Sequence, residues 1–363
     1  MRALAETIQA NPALWLAGGG FLIGLAFGAM TYATNFCTMG ALSDIRNLGD
    51  WRRFRAWILA SAVALAGTQL IAAAGVVPIE RSMYLGASFG WAGNIIGGLL
   101  FGFGMVLAGG CASRNLARAG GGDLRALLVL VVLGLSAYVA VGGILGPARA
   151  ALDRTTAIEL AGSQGLGDLV ARVIGATAGS TRLALAAAIT LAAVAYCFKD
   201  GDFRTSSKNV FAGLGVGLAA VAGWALTGLA VDDLADKPVS PISLTFVRPT
   251  GDAIEWLERY TAAPIPTFGV ATVFGALLGA FLVALARGRF KVITFSDAGD
   301  TKRSLAGAVM MGIGGVTALG CTVGQAITGV STMALGSFLT FAALVAGGLA
   351  GLTWLERRLM AEA

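Results

Sequence analysis

Four cysteines stand in a chain of 363 residues that has no histidine. Three of them close similar segments of 14 residues: GLAFGAMTYATNFC ends at Cys37, GLLFGFGMVLAGGC at Cys111 and AVMMGIGGVTALGC at Cys321. A further segment, GLGVGLAAVAGWAL, carries Leu226 where the others carry cysteine. The segments ending at Cys111 and Cys321 agree at Gly102/Gly312, Gly104/Gly314, Val106/Val316, Ala108/Ala318 and Gly110/Gly320 as well. A thiol in an apolar site keeps its proton. The neutral S–H group is a weak, polarizable donor that suits a soft, sulfur-bearing anion better than a hard oxyanion, and a thiolate would repel either. The plain alternative is that each cysteine is a small buried packing residue. Cys197 lies outside the repeat, at the end of an apolar run, and reads as structural.

Each repeated cysteine is followed by a less apolar stretch that reads as a helix start: CTMGALSD, CASRNLARAGGG and CTVGQAITGVSTMALG. The pattern predicts a span that breaks at the cysteine and continues as a short half-helix. Gly109, Gly110 and Gly320 are expected to ease two of the breaks. Non-helical backbone at membrane depth is tolerated only where it is buried in protein or lines a wet cavity. The N-terminus of a half-helix presents free N–H groups and a positive dipole end, which suit an anion. Thr38, Ser113 and Thr322 place a hydroxyl beside each thiol.

The elements that must hold these residues are membrane helices. Hydrophobic types make up 56% of the chain and charged types 13%, with a mean hydropathy of +0.78. A soluble domain is about one-quarter charged. The absence of histidine excludes Ser-His-Asp triads and histidine metal sites. No CxxC pair and no GxxxxGK[ST] loop is present, which removes zinc knuckles, thioredoxin-like redox sites and a phosphate-binding loop. No metal site and no cofactor is expected. The net charge of +6 fits cytoplasmic loops rather than nucleic-acid binding.

About nine apolar runs could span a bilayer, near 13–33, 57–78, 88–109, 126–147, 183–198, 209–230, 268–286, 304–320 and 334–355, and none contains Asp, Glu, Lys or Arg. The first belongs to the repeat and reads as a span rather than a signal peptide. Alternate connections hold most of the basic residues, among them Arg52, Arg53, Arg55, Arg287, Arg289 and Lys291. The stretch 231–267 is acidic, with Asp232, Asp233, Asp236, Asp252, Glu255 and Glu258, and is expected to stay outside. The positive-inside rule then puts the N-terminus outside and the C-terminus in the cytoplasm. The expected fold is all-α: a single integral membrane domain over 1–363, with short half-helices and inverted-repeat halves near 1–165 and 166–363. Small residues four apart, at Gly24/Gly28, Gly98/Gly102, Gly213/Gly217 and Ala308/Gly312, read first as helix-packing faces. Inverted halves are a recurrent transporter plan, with the site between them near the midplane.

Around its three cysteine segments the chain resembles the YeeE/YedE family of sulfur-transport membrane proteins. GLLFGFGMVLAGGC, GIGGVTALGC and FGAMTYATNFCTMG carry the likeness. The resemblance implies uptake of thiosulfate or a related sulfur compound across a bacterial inner membrane. It implies that Cys37, Cys111 and Cys321 line the pathway and pass the anion by thiol contacts. It also implies a small cytosolic sulfurtransferase-like partner. Import of an anion runs against an inside-negative potential, at about 2.3 kcal/mol per charge per 100 mV, and consumption inside would drive it. A membrane thiol oxidoreductase is the alternative from another class, and it would need two of the cysteines to meet. A soft-metal permease is a third, against which the lack of histidine and of a Cys–Met cluster counts.

Overall fold

The apolar runs become helices because they hold few interruptions and leave no backbone group unpaired in lipid. The computed structural model describes residues 2–235, 238–295 and 297–362. In chain order the helices are α1 (Arg2–Ala10), α2 (Pro12–Thr34), α3 (Thr38–Leu48) and α4 (Arg52–Ala73), then α5 (Trp91–Leu107), α6 (Ala112–Gly120) and α7 (Leu124–Val141). There follow α8 (Gly146–Thr156), α9 (Leu166–Ile174), α10 (Ala178–Phe198), α11 (Gly201–Thr205), α12 (Ser207–Leu229) and α13 (Arg248–Glu258). The last are α14 (Phe268–Ala286), α15 (Ala298–Thr317) and α16 (Leu335–Glu362), with a π-helical turn at Gly324–Gly329 between them. Two-residue strands, β1 (Ser88–Phe89) and β2 (Ile158–Glu159), pair antiparallel at one end.

Every one of the nine expected runs is a helix, and eight are long and apolar enough to cross a membrane. The ninth is α15, whose first turns carry Asp300, Lys302 and Arg303. Among the described residues eight helices meet that measure by themselves, and α15, which packs along α5, holds the remaining expected run.

Glycine sets how closely these helices approach. A Cβ on Gly24 or Gly28 of α2 would overlap the backbone of Thr272 or Ala276 on α14. On α12, Gly213 and Gly217 meet the carbonyls of Ala56 and Ala60 of α4 in the same way. Gly98 and Gly102 of α5 lie on Thr340 and Leu344 of α16, and Gly312 of α15 lies on Leu133 of α7. The spaced small residues are thus packing faces, where backbone contact replaces side-chain burial. Between α5 and α15 the contact is reciprocal and antiparallel: Gly97 faces Gly314, and Gly104 faces Gly307.

Part of the stretch 231–267 lies inside the protein. Asp236 lies outside the described residues. Ser243, Leu244, Phe246 and Val247 are buried at 1%, 0%, 0% and 1% exposure, so this part of an acidic connection enters the core. It is held by hydrogen bonds: Ser243 Oγ donates to the Ala220 carbonyl at 2.6 Å, and Thr328 Oγ1 donates to that of Leu244 at 2.6 Å. Phe246 stacks on Phe27 of α2 with ring centres 4.9 Å apart. Next, α13 packs on α7, where Tyr138 OH donates to Asp252 at 2.8 Å. At Leu226, which replaces the cysteine in the remaining repeat segment, α12 continues unbroken to Leu229.

Candidate functional site

The three repeated cysteines sit at three helix breaks of one design. The residue two before each cysteine has left-handed backbone: Asn35 at φ 60°, Gly109 at φ 70° and Leu319 at φ 59°. That conformation ends α2, α5 and α15. The cysteine is then extended and caps the next helix, as at Cys37 (φ −157°, ψ 124°) and Cys111 (φ −72°, ψ 175°). Gly110, at φ 154°, takes a conformation that only glycine adopts without strain. Gly320 was expected to supply the third break, but Leu319 does so instead, at the cost a β-carbon bears in the left-handed region.

All three thiols are buried and unpaired as disulfides, with exposures of 4% for Cys37 and 0% for Cys111 and Cys321. Cys37 Sγ accepts from the Gly40 N–H at 3.4 Å, and Cys321 Sγ from the Gly324 N–H at 3.3 Å. Cys111 Sγ and Ser113 Oγ share a hydrogen bond of 3.3 Å. The backbone of Phe246 also reaches Cys321, which brings the buried part of 231–267 to the site. Cys111 lies within electrostatic reach of both Cys37 and Cys321.

The hydroxyls beside the thiols behave differently from one another. Ser113 bonds its cysteine, whereas Thr38 Oγ1 and Thr322 Oγ1 are buried without a partner among the described residues. So is the indole N–H of Trp57, whose ring stacks on Phe36 at 4.4 Å. A buried donor left unpaired costs about 1–3 kcal/mol. Among the described residues no group of His, Cys, Asp and Glu is arranged to hold a metal.

Side chains that sequence reasoning passed over satisfy the broken backbone. Asn115 Nδ2 donates to the Gly110 and Cys111 carbonyls at 2.8 and 3.2 Å, and Arg118 Nη1 to that of Gly109 at 3.0 Å. Gln325 Nε2 donates to the Ala318 carbonyl, and Arg287 Nη1 to that of Ala33 at 2.9 Å. Asp123 anchors Arg118 at 2.7 Å and caps α7. A polar residue near a predicted break was the available signal, and it is a weak one.

The second and third breaks are built almost alike. After Cys111 come nine helical residues, two turn residues and a bridging residue, Asp123, before α7 begins. After Cys321 come ten, two and one, the last being Ala334, before α16 begins. The extra residue is absorbed by the π-helical turn, the usual local result of a one-residue insertion. In step with this, Gly102 meets Leu344 where Gly312 meets Leu133, and the separation of the two leucines is one residue greater than that of the two glycines.

A cavity of about 210 Å³ opens beside the third break. Leu319 and Gln325, on either side of Cys321 in sequence, line it together with Tyr84 and Asn94. Ser88 of β1 places it at the end of the molecule that carries the small sheet. Tyr84 lies in a connection between spans, where the sequence offered no reason to single it out.

Comparison with known proteins fits this geometry. A family model described as Sulphur transport matches residues 33–350. The thiosulfate transporter TsuA of Spirochaeta thermophila is 28% identical over 334 residues, covering 88% of this chain and 93% of that protein. TsuA of Escherichia coli is 26% identical over 321 residues, covering 85% and 86%. The probable transporter YedE of Escherichia coli is 35% identical over 113 residues, which is 31% of this chain and 26% of that protein. With eight membrane-length helices and a family match over most of its length, the chain belongs to the sulfur-transport family of YeeE/YedE-like membrane proteins.

Proposed function

We propose that this protein imports thiosulfate, or a closely related sulfur anion, through a passage formed by Cys321, Cys111 and Cys37. The observation that carries this is the repeated placement of a buried thiol at the start of a half-helix, with Cys111 in reach of the other two. Each thiol offers a weak S–H contact, and Thr38, Thr322 and Trp57 supply donors not otherwise engaged. Weak successive sites suit conduction, since one tight site would hold the ion. Gly109, Gly110 and Gly320 serve the backbone of the breaks, and Ser113 orients Cys111.

The halves near 1–165 and 166–363 are inverted copies in this reading. Exchanging α2 with α12, α4 with α14, α5 with α15 and α7 with α16 leaves the main helix pairings unchanged, and this supports it. With the N-terminus outside and the C-terminus inside, Cys321 is the outer station and Cys37 and Cys111 are the inner ones. A cytosolic sulfurtransferase-like protein consumes the delivered anion and so sustains uptake against the membrane potential. The test is uptake of radiolabelled thiosulfate into liposomes that hold the purified protein, with sulfate, selenite and tetrathionate as competitors. Saturable uptake that falls in Cys37→Ala, Cys111→Ala and Cys321→Ala is expected. Equal rates in protein-free liposomes would end the proposal.

A further inference from the structure

The residue three positions after each repeated cysteine does the same work at two breaks and not at the other. Gly40 follows Cys37 there and Gly324 follows Cys321, and each donates its N–H to the sulfur, at 3.4 and 3.3 Å. After Cys111 the same place holds Arg114, and the thiol bonds Ser113 Oγ instead, at 3.3 Å. A guanidinium therefore stands in the first turn of α6. The free N–H groups and the dipole make that end of a helix positive already, so a cation is disfavoured there.

The other polar side chains of α6 are all engaged. Ser113 bonds Cys111, Asn115 bonds the Gly110 and Cys111 carbonyls, and Arg118 bonds the Gly109 carbonyl and Asp123. Arg114 has neither a hydrogen bond nor a carboxylate partner among the described residues. It is not in open water either. The residue is half-buried, its stem lies 2.8 Å from where a Cβ on Gly110 would sit, and its charge is within electrostatic reach of Cys37. Arg53 also reaches Cys37, but its charge is met by Asp44, to which Nη2 donates at 2.6 Å. Beside Cys37, Thr38 is 1% exposed and its hydroxyl has no partner among the described residues. The surroundings of Cys37 thus hold one uncompensated cation and one idle hydroxyl, and an anion is the ligand that engages both.

We infer that Arg114 is a specificity-determining residue of the inner part of the passage, where its guanidinium receives the oxygens of a divalent sulfur oxyanion that has passed Cys111. The inference rests on the sulfur-anion import proposed above and deepens it. A guanidinium presents a planar fork of N–H donors that matches two oxygens of one anion. Its attraction for a dianion is twice that for a monovalent anion, and a neutral sulfur compound gains no such term. Glycine at this place in the other two breaks leaves them with thiol, hydroxyl and backbone donors alone. Charge is therefore read at one station of the three, after entry.

The test compares thiosulfate uptake by liposomes holding the unaltered protein, Arg114→Gln or Arg114→Lys. A hydrogen bond between charged groups is worth about a tenfold factor or more. Arg114→Gln is expected to lower Vmax about tenfold with KM within about twofold, because the lost contact follows entry. Arg114→Lys keeps the charge and should restore Vmax to within about threefold of the unaltered protein. The melting temperature of Arg114→Gln should not fall, since the fold gains nothing from this cation. An unchanged Vmax in Arg114→Gln overturns the role, and so does an Arg114→Lys protein no faster than Arg114→Gln. A lowered melting temperature overturns it as well, by showing that the charge serves the fold. Should Arg114→Gln fail to reach the membrane, Arg114→Ala takes its place under the same criteria. Absence of thiosulfate uptake by the unaltered protein would remove the import reading itself, an outcome distinct from these.

Discussion

Leu319 and Asn35 hold the same left-handed backbone, at φ 59° and 60°, each two residues ahead of a buried cysteine. Asparagine tolerates this region and leucine does not, so the third break stores strain that the first avoids. Leu319→Gly should relieve it. Thermal unfolding in detergent is expected to show a gain of about 0.5–1 kcal/mol, the relief being partly offset by the greater freedom of glycine in the unfolded chain. Gly110→Ala should do the reverse. With φ at 154° and the Arg114 stem 2.8 Å from the added carbon, a loss of about 1–3 kcal/mol is expected.

Helix approach gives a second prediction. Gly102→Val would drive a side chain into the Leu344 carbonyl, whereas Gly18 has nothing within 4 Å of an added Cβ. Overpacking of this kind costs about 1–3 kcal/mol or more. Gly102→Val should lower the melting temperature and the yield of monodisperse protein in size-exclusion chromatography, while Gly18→Ala leaves both near the starting value. Equal behaviour of the two variants would contradict the backbone contact.

Acid should unclamp the second break. Asp123 lies between spans, and although burial opposes its charge, hydrogen bonds from Arg125 and Arg118 hold its carboxyl below the usual carboxylate range. A depressed value means that its contribution is present above the unfolded carboxylate value, near pH 4, and is lost as the pH falls through the folded one. Asp123→Asn removes both ion pairs and should cost about 2–3 kcal/mol at neutral pH. Melting curves measured from pH 7 to pH 3 should converge for the two proteins at the acid end. Parallel curves would show that Asp123 is not the group responsible.

The fourth cysteine offers an internal control. Cys197 Sγ donates to the Arg55 carbonyl at 3.3 Å, away from the three breaks. Cys197→Ala should leave thiosulfate uptake within about twofold and cost about 1 kcal/mol of stability. Cys37→Ala, Cys111→Ala and Cys321→Ala should each lower uptake about tenfold or more at unchanged membrane levels, for loss of one station in a series. Uptake assays alongside quantitative blotting separate the two classes.

Much of this could be read from the residues. The apolar runs located nine helices, and the repeated cysteines located the breaks, because both signals are local and periodic. The spaced glycines announced close helix contacts for the same reason. What escaped was set by distant partners. Leu319 bears left-handed backbone only because the surrounding structure imposes it, and nothing in TALGC distinguishes it from a helical leucine. Residues 242–247 enter the core from a stretch whose acidic neighbours suggested solvent, since Thr328, Ala220 and Phe27 supply partners that no local pattern reveals. Tyr84 packs in a cluster with Trp224 and Ala334, residues far from it in the chain.

The single additional residue behind Cys321 carries a wider consequence. It makes the third break wider than the second, and the wide turn at Gly324–Gly329 lies against the polar cavity. One codon can thus reshape one mouth of such a molecule while the other keeps the regular α-helical turn, and excising it should alter which solutes enter from that side and leave the direction of net flow to the gradient.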